Sequence, residues 1–126
     1  MSKKWHVLYY VTPNGYKPVE KYIDDLSFNE QAKILAFIDN LEKNGPNLHR
    51  PYADLLEDGI HELRIKITGT QVRVLYFFCY KDIIILTNVF DKNTDKVPKS
   101  EIKLAKDSRL DFLFRYTEQE IRRLML

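Results

Sequence analysis

The chain has a single cysteine, Cys79, among its 126 residues, so no disulfide can form within it. That cysteine and three histidines do not offer the four ligands of a structural zinc site. The longest apolar runs are strand-sized, far short of the roughly 20 residues that span a bilayer, and the N-terminus lacks a basic region followed by an apolar signal core. We therefore expect one cytoplasmic domain, residues 1–126, with no metal, cofactor or membrane contact.

The net charge is also low, at +2, but it is unevenly distributed. Acidic residues outnumber basic ones by six to four between positions 14 and 44. Residues 59–81 hold four basic residues and one acidic residue, Glu62. A polyanion is therefore expected to bind the middle of the chain.

The first half of the chain predicts one strand and two helices. Residues 5–11 are aromatic and β-branched, as in a strand. The segment from Pro18 to about Leu26 suits a short helix, because proline is favoured in a first helical turn. Ser27 and Glu30 have the spacing of a capping box for a second helix, which the Asn-Gly-Pro run at 44–46 ends. Its apolar stripe consists of Ile34, Leu35, Ile38 and Leu41.

The second half predicts an antiparallel meander followed by helix. A polar connector, residues 47–58, leads to three strand-like runs at 59–67, 71–80 and 82–90. Pro98 opens the next helix, whose length is left open by the polar residues at 106–109. Thr117 and Glu120 are spaced as a further capping box, which predicts a last helix to Leu126.

Strand alternation separates the residues of the first run into two sets. His61, Leu63, Ile65 and Ile67 share one side, and Glu62, Arg64 and Lys66 share the other. Arg73 has the outward parity of the next run, so burial of the apolar sets places these four charged side chains together on a solvent-exposed face. Leu75 and Phe77 on that face would need cover, which the C-terminal segment can supply.

A carboxylate among cations suits metal-free RNA cleavage, in which the ribose 2′-hydroxyl attacks the adjacent phosphate. Glu62 is the only carboxylate among the strand cations, so we assign it as the base that takes the 2′ proton. Arg64 and Arg73 have planar forks that match non-bridging phosphate oxygens. Lys92, just past the last strand, could neutralise or protonate the leaving oxygen. Spacing alone favours another interpretation, a surface ion-pair network that contributes little to stability.

Three motifs add a family resemblance. They are Glu-Leu-Arg at 62–64, Arg-x-x-Tyr-Phe at 73–77, and Phe-x-Lys-x-Thr-x-Lys-x-Pro-x-x-Glu-Ile-x-x-Ala at 90–105. Together they resemble the RelE/HigB family of toxins, in particular its phage-derived HigB-type branch. The resemblance implies an α+β, RelE-like fold, with an antiparallel sheet packed against two N-terminal helices and a C-terminal helix. It also implies a ribosome-dependent endoribonuclease that cuts mRNA and is neutralised by a cognate antitoxin of the helix-turn-helix type.

The resemblance places catalytic cations at Arg64 and Arg73. We expect the substrate to contact Lys66, Asn88, Lys96 and Lys99. Relatives often carry a histidine where this chain has Asn88, and asparagine cannot transfer protons at neutral pH. If that histidine is the general acid in relatives, this protein is slower, uses Lys92 as its acid, or is inactive.

Two rival functions stay open at this point. One is a catalytically inactive phage or mobile-element protein of the same fold that binds RNA or a protein partner. The other is a gyrase-poisoning toxin of the same superfamily. A row of lysines, Lys99, Lys103 and Lys106, recurs on one side of the helix opened by Pro98, either as a solvated face or as a contact for ribosomal RNA.

Overall fold

A computed structural model describes residues 5–126, which form a five-stranded sheet and four α-helices. The strands are β1 (His6–Tyr9), β2 (Ala53–Glu57), β3 (Ile60–Ile67), β4 (Thr70–Cys79) and β5 (Ile83–Asp91). The helices are α1 (Pro18–Asp24), α2 (Phe28–Asn44), α3 (Lys99–Arg115) and α4 (Glu118–Leu124), with a 3₁₀ turn at Gly45–Asn47. None of the helices in this described part of the chain is both long and apolar enough to cross a membrane.

The sheet is mixed, with the order β1-β5-β4-β3-β2. The three hairpin pairs from β2 to β5 are antiparallel, whereas β1 runs parallel to β5. The prediction of a wholly antiparallel sheet is therefore wrong for this one pair. The physical reason is that no tight turn joins β1 to β5, so hairpin geometry does not set their relative direction.

Strand β2 lies inside the segment predicted to be a polar connector, residues 47–58. A two-residue turn, Asp58-Gly59, joins it to β3, and both turn residues have positive φ, at 49° and 76°. Asp-Gly is a favoured pair for such turns, because both positions of a type I′ turn need positive φ. Strand β2 extends the sheet past β3 and supplies one wall of the cleft described below.

Helix α2 is capped as predicted and packs on one face of the sheet. The Ser27 hydroxyl accepts the Glu30 backbone N–H, and the Glu30 carboxylate accepts the Ser27 N–H. Ile34, Ile38 and Leu41 are buried against the sheet, whereas Leu35, predicted in the same stripe, is 45 % exposed. The core of this face is mainly aliphatic, with Tyr76 buried among the apolar side chains, and α1 contributes Val19 and Ile23 to it.

Helix α3 covers the opposite face. It runs unbroken through the polar residues 106–109 and packs Ile102, Ala105 and Phe112 toward the sheet. Ala105 and Phe112 belong to the same buried cluster as Leu75, Phe77 and Ile85, so the predicted cover for Leu75 and Phe77 is confirmed. Helix α4 begins at the predicted capping box and adds Ile121 to this cluster.

Candidate active site

A polar cleft of about 420 Å³ opens where α3 leaves β3 uncovered. The floor comes from β3, one wall from β2 and the segment before it, and the other wall from the β5–α3 connection and the start of α3. The charged residues lining it are Arg50, Asp54, Glu57, Glu62, Arg64, Lys92, Asp95, Lys96 and Lys99. Four residues of the predicted site therefore meet Glu62 in one cavity: Arg64, Lys92, Lys96 and Lys99.

Glu62 on the floor is held between two guanidinium groups. Its Oε2 accepts a hydrogen bond of 2.9 Å from Arg64 Nη1, and its Oε1 lies 3.2 Å from Arg73 Nε. The second contact is an ion pair without hydrogen-bond geometry. As strand alternation predicts, all three side chains lie on the same side of the sheet.

The expectation of an open, solvated face is contradicted. Glu62 and Arg73 are each only 3 % exposed, because this part of the sheet lies between β2, α3 and the connection that precedes α3. Charged groups are rarely buried without partners, and here each is the other's counter-charge. The interpretation of a loose surface ion-pair network does not fit this burial.

Arg73 is turned inward and does not line the cleft. Its Nη1 donates to the Val72 carbonyl at 3.1 Å and its Nη2 to Gln71 Oε1 at 2.9 Å. Burial is the main influence on its pKa, which it lowers, while the Glu62 carboxylate acts in the opposite direction. Because its Nη1 and Nη2 bond to protein atoms and its Nε lies beside Glu62, Arg73 can hold the Glu62 carboxylate in place, and its contact with phosphate stays a prediction.

Of the two guanidinium groups beside Glu62, that of Arg64 is the accessible one. Its side chain is 26 % exposed, and within the described residues its bond to Glu62 is its only hydrogen bond or ion pair. It lies directly opposite Arg73 in the β3–β4 ladder. Like charges in such a pair repel, so Glu62, which contacts both, offsets this repulsion.

Ion pairs within the cleft leave an excess of positive charge. Arg50 binds Asp54 through Nε at 3.1 Å and Nη2 at 2.9 Å, and Glu57 pairs with Lys106 of α3. Over residues 5–126, Lys92, Lys96, Lys99 and Asp95 make no ion pair. Three free cations against one free carboxylate suit a phosphodiester, and the low-dielectric floor strengthens each interaction.

Two predicted substrate contacts lie elsewhere. Lys66 is exposed beside a shallow depression with Gln71 and Arg73, outside the cleft. Asn88 is buried, and its amide donates to the Glu101 carboxylate at 3.0 Å and to the Glu101 carbonyl at 3.3 Å. Asn88 therefore ties the first turn of α3 to β5, and its contact with substrate remains a prediction.

The row of lysines on α3 is not one uniform cationic surface. Lys99 lines the cleft, but Lys103 pairs with Asp107 within the helix at 2.8 Å. Lys106 reaches across to Glu57 of β2, and Arg109 in the next turn binds Asp58. Lys106 and Arg109 therefore fasten the β2–β3 hairpin to α3 and shape the cleft between them.

Arg50 and Asp54 are cleft residues that sequence reasoning missed. They belong to the segment taken for a connector, where no strand register was assigned. The available signal was the Asp58-Gly59 turn, which predicts a hairpin and brings β2 beside β3. Within the described chain no three His, Cys, Asp or Glu side chains are grouped so as to hold a metal ion.

Comparison with known proteins gives two matches. The model of the family described as "Phage derived protein Gp49-like (DUF891)" matches residues 21–109, a range that includes every residue of the cleft. A protein of Mycobacterium tuberculosis (strain ATCC 25618 / H37Rv) described as "Putative toxin HigB3" is 34 % identical over 62 residues. That alignment covers 48 % of this chain and 54 % of the mycobacterial protein, about half the length of each.

Proposed function

The chain belongs to the Gp49-like family of phage-derived proteins, and we propose that it is the toxin of a type II toxin–antitoxin system. The description of the mycobacterial relative as a toxin supports this proposal. So do the three motifs that resemble the phage-derived HigB-type branch. Its partner is then a small cognate antitoxin of the helix-turn-helix type.

The proposed activity is ribosome-dependent cleavage of mRNA by metal-free acid–base chemistry. The observation that carries it is a buried carboxylate, Glu62, on the floor of a cleft whose unpaired charges are mostly lysines. A base held next to cations is the arrangement that attack of a 2′-hydroxyl on its neighbouring phosphate requires.

The first step follows from the contact between Arg64 and Glu62. A bound phosphate competes for Arg64 and takes it as a charge-assisted partner, which frees Glu62 Oε2. Glu62 then accepts the 2′ proton as the 2′-oxygen bonds to phosphorus. Arg73 stays behind Glu62 and keeps its carboxylate in place.

The second step concerns the leaving group. As the bond from phosphorus to the 5′-oxygen breaks, a 2′,3′-cyclic phosphate forms and the 5′-oxygen takes a proton. Lys92 neutralises or protonates that oxygen, and Lys96 and Lys99 bind flanking phosphates. Each of these roles is electrostatic and needs no resident cofactor.

Induced expression followed by mapping of cut sites in ribosome-bound messages tests the proposal. We expect growth arrest and codon-linked cuts, reduced about 10²- to 10³-fold by Arg64→Ala because transition-state charge loses its partner. Arg123→Ala, an exposed arginine on α4 away from the cleft, is the matched control and should cut as the wild type does. Growth arrest without cuts, or with DNA damage, would reject the nuclease.

A second candidate is an RNA-binding protein of the same fold that does not cut. One observation favours it. Both Glu62 oxygens face guanidinium groups, so neither oxygen is free to take a proton unless Arg64 moves away. Under this alternative, replacing Lys92, Lys96 and Lys99 by alanine weakens RNA binding in a salt-dependent way while no cuts appear in any variant. Cuts that disappear with Arg64→Ala exclude it.

A further inference from the structure

A second cavity lies across β2 from the cleft, on the face of the sheet that α2 covers. It measures about 200 Å³, and its lining includes His49, Leu48, His61, Tyr76 and Phe78. This volume is below the roughly 300–1,000 Å³ of sites for drug-sized ligands. It suits one small planar group.

Tyr76 brings a hydroxyl to this pocket. Its side chain is 1 % exposed, and no side chain or backbone group among residues 5–126 bonds to the hydroxyl. The hydroxyl can therefore donate to or accept from a bound group. Burial, with smaller effects from the Glu62 and Asp54 carboxylates, raises the Tyr76 pKa, so the group is a proton donor at neutral pH.

His61 adds a second polar group and an aromatic wall. Its ring stacks on Tyr76 with centroids 5.2 Å apart, and Phe78 meets it edge-on at 5.0 Å. Neither ring nitrogen has a hydrogen-bond partner within the described chain. Burial lowers the His61 pKa, so the neutral ring presents one donor and one acceptor.

The pocket and the cleft adjoin. Asp54 lines both cavities, and the consecutive residues His49 and Arg50 line the pocket and the cleft respectively. Strand β2 is the edge of the sheet, so a single strand of RNA can pass over it. A phosphate in the cleft then has a neighbouring nucleotide at the pocket.

We propose that the cavity lined by His61, Tyr76 and Phe78 binds one nucleobase of the RNA whose phosphate occupies the cleft. Aromatic rings stack on any base. A hydroxyl and a neutral imidazole, in contrast, favour those bases whose edges present matching hydrogen-bond donors and acceptors. The inference rests on the proposed function, because it takes RNA as the ligand. Under this inference, the pocket selects the identity of one base next to the phosphate that is cut.

Fluorescence of the chain's one tryptophan reports on this pocket through Phe78 and Gly45, two lining residues that the indole contacts. Trp5 packs edge-on against Phe78 with centroids 5.3 Å apart, and it closes over Gly45, where an added Cβ would collide with the indole. The probes are the four ribonucleosides, which carry a base but no phosphate, and ribose 5-phosphate, which carries no base. We expect saturable change with at least one nucleoside and none with ribose 5-phosphate.

Two variants separate this site from the cleft. Tyr76→Phe removes a hydroxyl that has no hydrogen-bond partner among residues 5–126, so it should fold at least as stably as the wild type. It should weaken nucleoside binding about fivefold to tenfold, through the loss of one hydrogen bond. Arg64→Ala, which disables the proposed cleavage, should bind the nucleoside as the wild type does.

The outcomes distinguish the two proposals. No fluorescence change with any nucleoside at millimolar concentration overturns the base pocket whether or not the protein cuts mRNA. Binding that Arg64→Ala abolishes and Tyr76→Phe leaves unchanged also overturns it, because the nucleoside then occupies the cleft. Saturable binding that Tyr76→Phe weakens, in a protein that makes no cuts, supports the pocket while the nuclease fails.

Discussion

The two faces of the sheet are built from the same strands but packed by different rules. Beneath α1 and α2, cross-strand pairs such as Leu63–Val74 and Ile65–Val72 are apolar and buried. On the opposite face, the intervening pair is Arg64 beside Arg73. A buried ion cluster contributes less to stability than well-packed apolar side chains of similar volume. The difference indicates that the second face, which is apolar where α3 covers Leu75 and Phe77, gives up apolar packing at Arg64 and Arg73 to retain charge.

The largest expected effect comes from making the second face like the first. The triple variant Glu62→Leu, Arg64→Leu, Arg73→Met should lose mRNA cleavage by about 10³-fold or more, since base and cations disappear together. Its free energy of unfolding should be unchanged or higher by about 1–4 kcal/mol, because no charge remains to be desolvated. Mapped cut sites and denaturant unfolding measure the two effects.

Leu63→Met serves as the matched control on the α2 side of β3. It conserves volume at a buried apolar position, and it should retain cleavage while costing less than about 1.5 kcal/mol. If the triple variant instead unfolds, the charged cluster is part of the framework and the contrast between the faces is lost.

The next effect concerns stability when the cluster is only partly removed. Glu62→Gln keeps the shape but leaves Arg73 buried without its counter-charge and opposite Arg64. Removing one partner of a buried pair costs about 3–5 kcal/mol, and a shift in the urea midpoint measures it. The same change at Glu57, whose pair with Lys106 is exposed, should cost at most about 1 kcal/mol. Equal costs at both positions would show that Glu62 is not desolvated.

A comparable effect is expected on the apolar face, without any loss of chemistry. Leu41→Ala empties a fully buried position of α2 and should cost about 2–5 kcal/mol. Cleavage per folded molecule should stay at the wild-type level. Leu35→Ala on the same helix, at an exposed position, should change stability by less than about 0.5 kcal/mol. A fall in activity per folded Leu41→Ala molecule would mean that the two faces are coupled.

The parts of the fold that follow local rules could be predicted from the sequence. Capping boxes at Ser27 and Thr117 involve residues three apart, and both helices begin there. Alternation along β3 likewise depends on neighbours, so the shared side of Glu62 and Arg64 was predictable. The parallel pairing of β1 with β5 depends on contacts distant in sequence, and nothing local specifies it.

The site was predictable in its residue types but not in its burial or its second wall. A bulge between Leu55 and Glu57 shifts the register of β2 by one residue and brings Asp54 opposite Glu62 instead of Leu63. Strand patterning does not reveal such an insertion. The burial of Arg73 and Asn88 depends on where α3 lies, which is set by the packing of Phe112 and Ala105 against the sheet.

The smallest expected effect concerns how much protonation of His61, on the face beneath α1 and α2, destabilises the folded protein. Burial lowers the pKa of His61 below its usual value near 6.5, while the neighbouring Asp54 carboxylate acts weakly the other way. The unfolded chain therefore binds this proton more readily than the folded protein does. Stability from His61 is complete above about pH 6.5 and falls as the pH drops toward the folded pKa. His61→Gln, which cannot take up the proton, should have a shallower dependence of unfolding free energy on pH between about 6.5 and 5. If unfolding free energy depends on pH with the same slope in the wild type and in His61→Gln, then a protonated His61 is tolerated on this face, as charged groups are on the opposite face.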